Sequence, residues 1–158
     1  MLASAEAEVA GLDIDGSSVR ALRLGDGSSL PCRHAVNAAG PWARSFAALA
    51  GIDLPVHARR RTVFVLSCPA PLPGCPLVID PSGFWFRPDA GLFIAGAAPR
   101  DDQDDLPLEP DLSEFDEALW ARMAHRVPAF EALRVERAWA GYYEMNLFDH
   151  NAVIGAHP

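Results

Sequence analysis

The run Asn37-Ala38-Ala39-Gly40-Pro41-Trp42 is the first place in this 158-residue chain where cofactor chemistry can be read. It joins an apolar stretch to an alanine-rich one. Small side chains at Ala38, Ala39 and Gly40 let a ligand approach bare backbone, and proline suits the first turn of a helix, where its missing N–H costs nothing. Cofactors of open α/β sheets sit outside the carboxyl ends of strands, and a helix start presents N–H groups to an anion. Two readings stay open: contact with a cofactor, or a tight strand-to-helix turn that uses small residues for packing.

A second set of residues is aromatic and cationic. In Trp139-Ala140-Gly141-Tyr142-Tyr143-Glu144, strand alternation puts Trp139, Gly141 and Tyr143 on one face and Ala140, Tyr142 and Glu144 on the other. A tyrosine hydroxyl can hydrogen-bond a carboxylate but cannot neutralise it; equally, it can simply reach water. Arg87 follows Phe84-Trp85-Phe86, and its guanidinium could hold a carboxylate in two-point fashion or cap the turn before Pro88. Arg59, Arg60 and Arg61 read as a solvated strand start rather than an anion site. His125 and His150 stand apart from any carboxylate at telling spacing and read as structural. No Ser-His-Asp or Cys-His arrangement and no metal-ligating spacing appears, so no residue is assigned as catalytic and no metal is expected.

Composition narrows the partners. Thirteen basic against twenty-one acidic residues leave a net charge of −8, which repels phosphate backbones and argues against nucleic acid. Half of the chain is hydrophobic, enough for a real core. Cys32, Cys68 and Cys75 form no CxxC pair and read as thiols of a reducing compartment. No apolar run is long enough to span a membrane, and Met1-Leu2-Ala3-Ser4-Ala5-Glu6 has neither the basic start nor the apolar stretch of a signal peptide. A cytoplasmic protein is expected.

These residues need elements to position them. Asp15-Gly16 and Asp26-Gly27 sit between alternating apolar runs, a hairpin signal, so 7–33 is expected to form a three-stranded meander. Ala35 to Ala38 reads as a fourth strand and 41–50 as a helix, with Gly51 at its C-terminal cap. Val63 and Val65 belong to a strand. After a proline-rich loop, 76–98 reads as three antiparallel strands with turns at Pro81-Ser82-Gly83 and Pro88-Asp89-Ala90-Gly91. The acidic segment 100–112 is a loop. Ser113 is the expected N-cap of a helix, with Asp116 completing a capping box; Phe115, Leu119, Met123 and Val127 line its apolar face and Pro128 stops it. Residues 134–146 return as a strand, and 151–155 close as a short one. The fold class is α+β: a β-meander plus a strand–helix unit, joined to an antiparallel sheet covered by a helix.

At this point the sequence resembles a known family. "VNAAGPWA" (36–43), "PLVIDPSGFWFRPDAGLFIAG" and "WAGYYEMNLFDHNAVIG" are similar to segments of FAD-dependent oxidoreductases of the D-amino-acid oxidase superfamily, the group of glycine oxidase and sarcosine oxidase. The resemblance implies FAD as cofactor, an amine or amino acid as substrate, and oxidation of a C–N bond by hydride transfer to the flavin. It implies FAD contacts at Asn37, Ala38, Ala39, Gly40, Pro41, Trp42 and Gly155, and a substrate cavity walled by Phe84, Phe86, Arg87, Trp139 and Tyr143. It divides the chain into part of an FAD-binding domain (1–51), a substrate-binding domain (52–145) and a return segment (146–158). Tyr143 falls where glycine oxidase-like relatives carry an arginine that grips the substrate carboxylate. Residues 91–96 lack the lysine some relatives use for oxygen activation, which favours a dehydrogenase over an oxidase. The GxGxxG segment on which FAD pyrophosphate rests is absent, so the chain resembles the middle of such an enzyme, expected to be inactive alone. The alternative class is a non-catalytic binding or assembly module, dimerising through apolar surface near 7–40.

Overall fold

The computed structural model describes residues 6–156, apart from the side chains of Glu117 and Ala118. Two antiparallel sheets and a few short helices make up the α+β fold. No helix among the described residues is long and apolar enough to cross a membrane. The residues gather into two compact units: those up to His57 together with those from Glu144 on, and Ala58–Tyr143.

In the first unit β1 (Val9–Asp15), β2 (Ser18–Leu24) and β3 (Ser29–Pro31) form the expected meander in the order β1-β2-β3. Gly16 and Gly27 turn its corners with positive φ, the conformation glycine adopts without strain. A 3-10 turn, Gly40–Trp42, leads into α1 (Ala43–Ala48). Its end is a Schellman motif: Gly51 N–H donates to Ala48 O and Ile52 N–H to Ala47 O, with Gly51 at φ 73°.

Two expected strands are corrected. Neither 35–38 nor 151–155 is a strand; both run as irregular chain, with Val36 87% and Ile154 92% exposed. A strand is defined by its ladder, and neither segment lies among the paired strands of the described residues. Both segments carry apolar residues, but propensity without a neighbour makes no sheet.

The second unit is built on a five-stranded sheet in the order β5-β6-β7-β4-β8: β4 (Val56–Ser67), β5 (Val78–Ile79), β6 (Phe84–Asp89), β7 (Leu92–Ala97) and β8 (Arg134–Asn146). Pro88 and Asp89 belong to β6, so the β6–β7 turn is only Ala90-Gly91, both with positive φ. That two-residue loop matches the twist of the strands it joins. Pro88 lies beyond the reach of two-residue β5, where its missing donor leaves no ladder bond unmade.

One face of this sheet carries the core. Phe64 and Leu66 of β4, Phe84 and Phe86 of β6, and Phe93 and Ala95 of β7 meet Phe115, Leu119, Met123, Phe130 and Leu133. The covering helix opens as a π-helical turn, Phe115–Leu119, and continues as α2 (Trp120–Arg126). Phe115, Leu119 and Met123 are buried as their four-residue spacing demands, and each such side chain contributes about 1.5–3 kcal/mol. The expected N-cap is corrected: Asp111, not Ser113, accepts at the helix start. Its Oδ1 takes the Ser113 N–H (3.0 Å) and the Ser113 hydroxyl (2.7 Å). An ionised carboxylate outcompetes a hydroxyl as acceptor, and these bonds hold the Asp111 carboxyl below its ordinary range.

Candidate functional site

The bend at 37–42 is built by Asn37. Its side-chain oxygen accepts the Ala39 N–H (3.2 Å) and its amide donates to Ala43 O (2.8 Å), pinning the segment to the start of α1. Val36, Asn37 and Ala38 are exposed, Ala39, Gly40 and Pro41 half-buried, and Trp42 61% exposed. Gly40 has φ 54° and open space where a Cβ would stand, so bare backbone faces outward here. The expected helix-start anion seat is corrected. The Trp42 N–H donates to Ala39 O and the Ala43 N–H to Gly40 O, while Pro41 has none to offer. A six-residue helix with its first donors taken supplies contact surface, not an electrostatic seat. The residues fit a planar cofactor resting on backbone; a phosphate cradle is not among them.

On the sheet, alternation sorts the aromatic residues by face. Ala138 packs against the core, so Trp139, Gly141 and Tyr143 of β8 point to the opposite face; Trp139 is 45% and Tyr143 53% exposed. Phe86, expected as a cavity wall, lies on the core face at 1% exposure, edge-on to Phe130 at 5.0 Å; Phe84 lies there too. It is Trp85, between them, that shares the face of Trp139, with its indole over Gly96. All three residues of Phe-Trp-Phe are apolar, so alternation alone does not tell which face is covered.

Arg87 shares that face but stays within its own hairpin: its Nη1 donates to Pro88 O (3.2 Å) and Asp89 Oδ1 (3.0 Å). Three strand spacings, about 14 Å, separate β6 from β8. The cation brought to Tyr143 is instead Arg61, whose guanidinium carbon lies 6.0 Å from the ring centroid. Reading Arg59, Arg60 and Arg61 as a solvated strand start is corrected as well. Their side chains are only 15%, 13% and 21% exposed, and each meets a carboxylate of the loop or helix start: Arg59 with Asp104, Arg60 with Asp111 and Glu114, Arg61 with Asp102. The signal was available in the acidic composition of 101–114, which answers three adjacent arginines.

Next after these arginines comes Thr62, 2% exposed, whose hydroxyl accepts the Asp111 N–H (3.2 Å) and hydrogen-bonds Glu114. Burial pushes the Glu114 carboxyl up and the charge of Asp111 adds to that; the Thr62 bond, Arg60 and Arg61 pull the other way without prevailing. This group fastens the helix start to β4. At the far end of β8, Asp149 orders the turn with Asn151: Oδ1 accepts from Asn146 Nδ2 (2.7 Å) and from the Asn151 N–H (3.0 Å). Gly155 is exposed, with open space where a Cβ would stand. The His150 N–H closes the same turn on Asn146 O (3.0 Å), His125 lies on α2, and no three His, Cys, Asp or Glu side chains among the described residues are placed to hold a metal.

Two antiparallel sheets and a few short helices make an α+β fold shared with parts of solved enzymes. The chain superposes on L-proline dehydrogenase from P. horikoshii with a TM-score of 0.81 at 25% identity, covering 96% of this chain and 41% of that one. With glycine oxidase from Geobacillus kaustophilus the TM-score is 0.78 at 24% identity, covering 96% and 40%. The chain belongs to the FAD-dependent oxidoreductase family, whose pattern (described as DAO, FAD dependent oxidoreductase) it matches over residues 4–158. It is 40% identical over 170 aligned positions to FAD-dependent oxidoreductase domain-containing protein 1 of Xenopus laevis, covering 91% of this chain and 34% of that protein. The protein of the same name from Bos taurus is 44% identical over 144 positions, covering 80% and 29%. The chain thus spans about a third of the length of these curated relatives.

Proposed function

We propose that this chain is the substrate-facing part of an FAD-dependent oxidoreductase that oxidises the C–N bond of a small amine or amino acid. We further propose that 52–145 is the substrate-binding domain and that 1–51 and 146–158 belong to the FAD-binding domain; the division of the fold near His57 and Glu144 supports this. The observation that carries the reading is the family match over 4–158. When bound, the flavin supplies the hydride acceptor, so the protein needs shape and orientation more than nucleophiles. Its own residues suit that division of labour. Ala38, Ala39 and Gly40 offer backbone without side-chain obstruction, and Trp139 and Tyr143 offer aromatic wall.

The chain alone is expected to be inactive and to hold FAD weakly, because it contains no GxGxxG. After mixing with FAD and removal of free cofactor, the protein should be colourless; a stoichiometric yellow complex contradicts this. All thirteen basic residues are arginine, so no lysine of this chain can activate oxygen, which supports a dehydrogenase. One observation favours a second reading, a non-catalytic assembly module: Val36, Phe148 and Ile154 are 87%, 86% and 92% exposed within one unit, and such apolar surface promotes association. A compact monomer at high concentration in sedimentation rules out the homodimer this module would form. A reducing, cytoplasmic setting is proposed on the three free thiols.

A further inference from the structure

We propose that the notch between α2 and the 3-10 turn Pro128–Ala132 is a binding site for a small organic ammonium ion, held over Trp120 and beside Glu131. The inference goes beyond the reading above and does not depend on it. The notch lies in the helical layer, among residues to which that reading gives no role.

The floor of the notch is made of small residues. Ala121 and Ala124 lie between Trp120 and His125 along α2, and the following turn brings Glu131 to their side. Residues three and four apart stand above one another on a helix, so 120, 121, 124 and 125 share one stripe. With Glu131 they line an open notch of about 490 Å³, a size that takes a small molecule. Trp120 stands directly after the π-helical turn, which its N–H closes on Phe115 O; such turns gather at functional sites. Leu119 is wholly buried, whereas Trp120 is 37% exposed.

Charge decides what the notch takes. Among the described residues its lining carries one carboxylate, that of Glu131, and no arginine. The two arginines of α2 reach toward the β5–β6 turn: Arg122 Nη1 donates to Ser82 O (2.7 Å), and Arg126 Nε lies 3.7 Å from Asp80 Oδ2. No hydrogen bond or ion pair among the described residues engages the Glu131 carboxylate, so its charge is open to a ligand. An indole face attracts a cation through the ring quadrupole, and alkyl groups on the nitrogen can pack on the ring and the alanine methyls. The His125 ring closes the far end as a second flat wall. An anion would meet Glu131 with like charge, and a neutral molecule would use neither the carboxylate nor the quadrupole. The net charge of −8 adds to the attraction of a cation.

The test uses the 158-residue chain without flavin, labelled with 5-fluorotryptophan. Three probes are added: choline, its neutral carbon isostere 3,3-dimethylbutan-1-ol, and sodium chloride at equal ionic strength. Binding is read from the Trp120 fluorine resonance, identified by its loss in Trp120→Phe. Choline should move that resonance saturably, and sodium chloride should leave it in place. The isostere should bind about tenfold more weakly, since it forgoes both the ring and the carboxylate. Glu131→Gln, a change at an exposed site, should weaken choline about threefold. Trp120→Leu, followed by the Ala124 amide in nitrogen-15 spectra, should weaken it by about as much. No saturable shift with choline, equal affinity for the isostere, or unchanged affinity in Glu131→Gln or Trp120→Leu overturns the proposal. Because the measurement needs no flavin, its failure is distinct from a failure to hold FAD or to oxidise an amine.

Discussion

Replacing Gly96 by alanine tests the packing that sets the open face of the sheet. A Cβ at Gly96 would stand 3.1 Å from the backbone oxygen of Thr62, 3.1 Å from Trp85 Nε1 and 3.2 Å from Trp85 Cε2. The Thr62 oxygen belongs to β4 and cannot retreat without disturbing the sheet, so the indole must slide. Overpacking of this kind costs about 1–3 kcal/mol, and the reduced freedom of the unfolded alanine chain returns about 0.4–1 kcal/mol. The net loss of about 1–2 kcal/mol corresponds to a fall in Tm of about 2–8 °C for a chain of this size. Thermal unfolding and fluorine spectra of 5-fluorotryptophan-labelled protein check both parts, since Trp85 gives one of four resonances. Gly141→Ala is the control: nothing lies within 4 Å of its added Cβ, and stability should hold or rise. A Gly96→Ala protein as stable as the parent, with the Trp85 resonance unmoved, refutes the placement of the indole.

Two further outcomes are expected. Phe130 is fully buried, with its ring 5.0 Å from that of Phe86 and 5.1 Å from that of Phe93, steeply inclined to both. Phe130→Ala should therefore lower stability by about 3–5 kcal/mol, read from the urea midpoint, and a loss below about 1 kcal/mol would falsify its place at the centre of the core. Glu114 has a folded pKa raised above its ordinary 4.5, first by burial. The stability held by its protonated form is complete below 4.5 and is lost as pH rises through the folded value. Glu114→Gln mimics the protonated form, so its Tm should match the parent at low pH and exceed it at neutral pH; a lower Tm at pH 7 contradicts the sign.

Much of this fold is written locally. Asp-Gly turns between alternating runs specify the meander, and the four-residue spacing from Phe115 to Met123 specifies the covering helix. Gly51 marks the end of α1 because only a residue at ease with positive φ closes that motif. What escapes local reading depends on distant neighbours. Ala35–Ala38 and 151–155 carry strand composition, yet a strand exists only where another pairs with it. Asp111 replaces Ser113 at the helix start because Thr62, far away in sequence, holds its backbone. At the site, the period of two places Trp139 and Tyr143 together, but it could not show that Phe86 faces the core or that Arg61, rather than Arg87, stands beside Tyr143. Those assignments depend on which face of the sheet the helix covers and on the order β7-β4-β8, in which β4 is the neighbour of β8.

The most direct measurement is flavin bleaching in the intact flavoprotein that carries this sequence, titrated without oxygen against candidate amines and amino acids. The account predicts that at least one small amine or amino acid bleaches the bound flavin and yields the corresponding imine or its hydrolysis product. An intact protein that holds FAD but passes no electrons from any C–N substrate would contradict it.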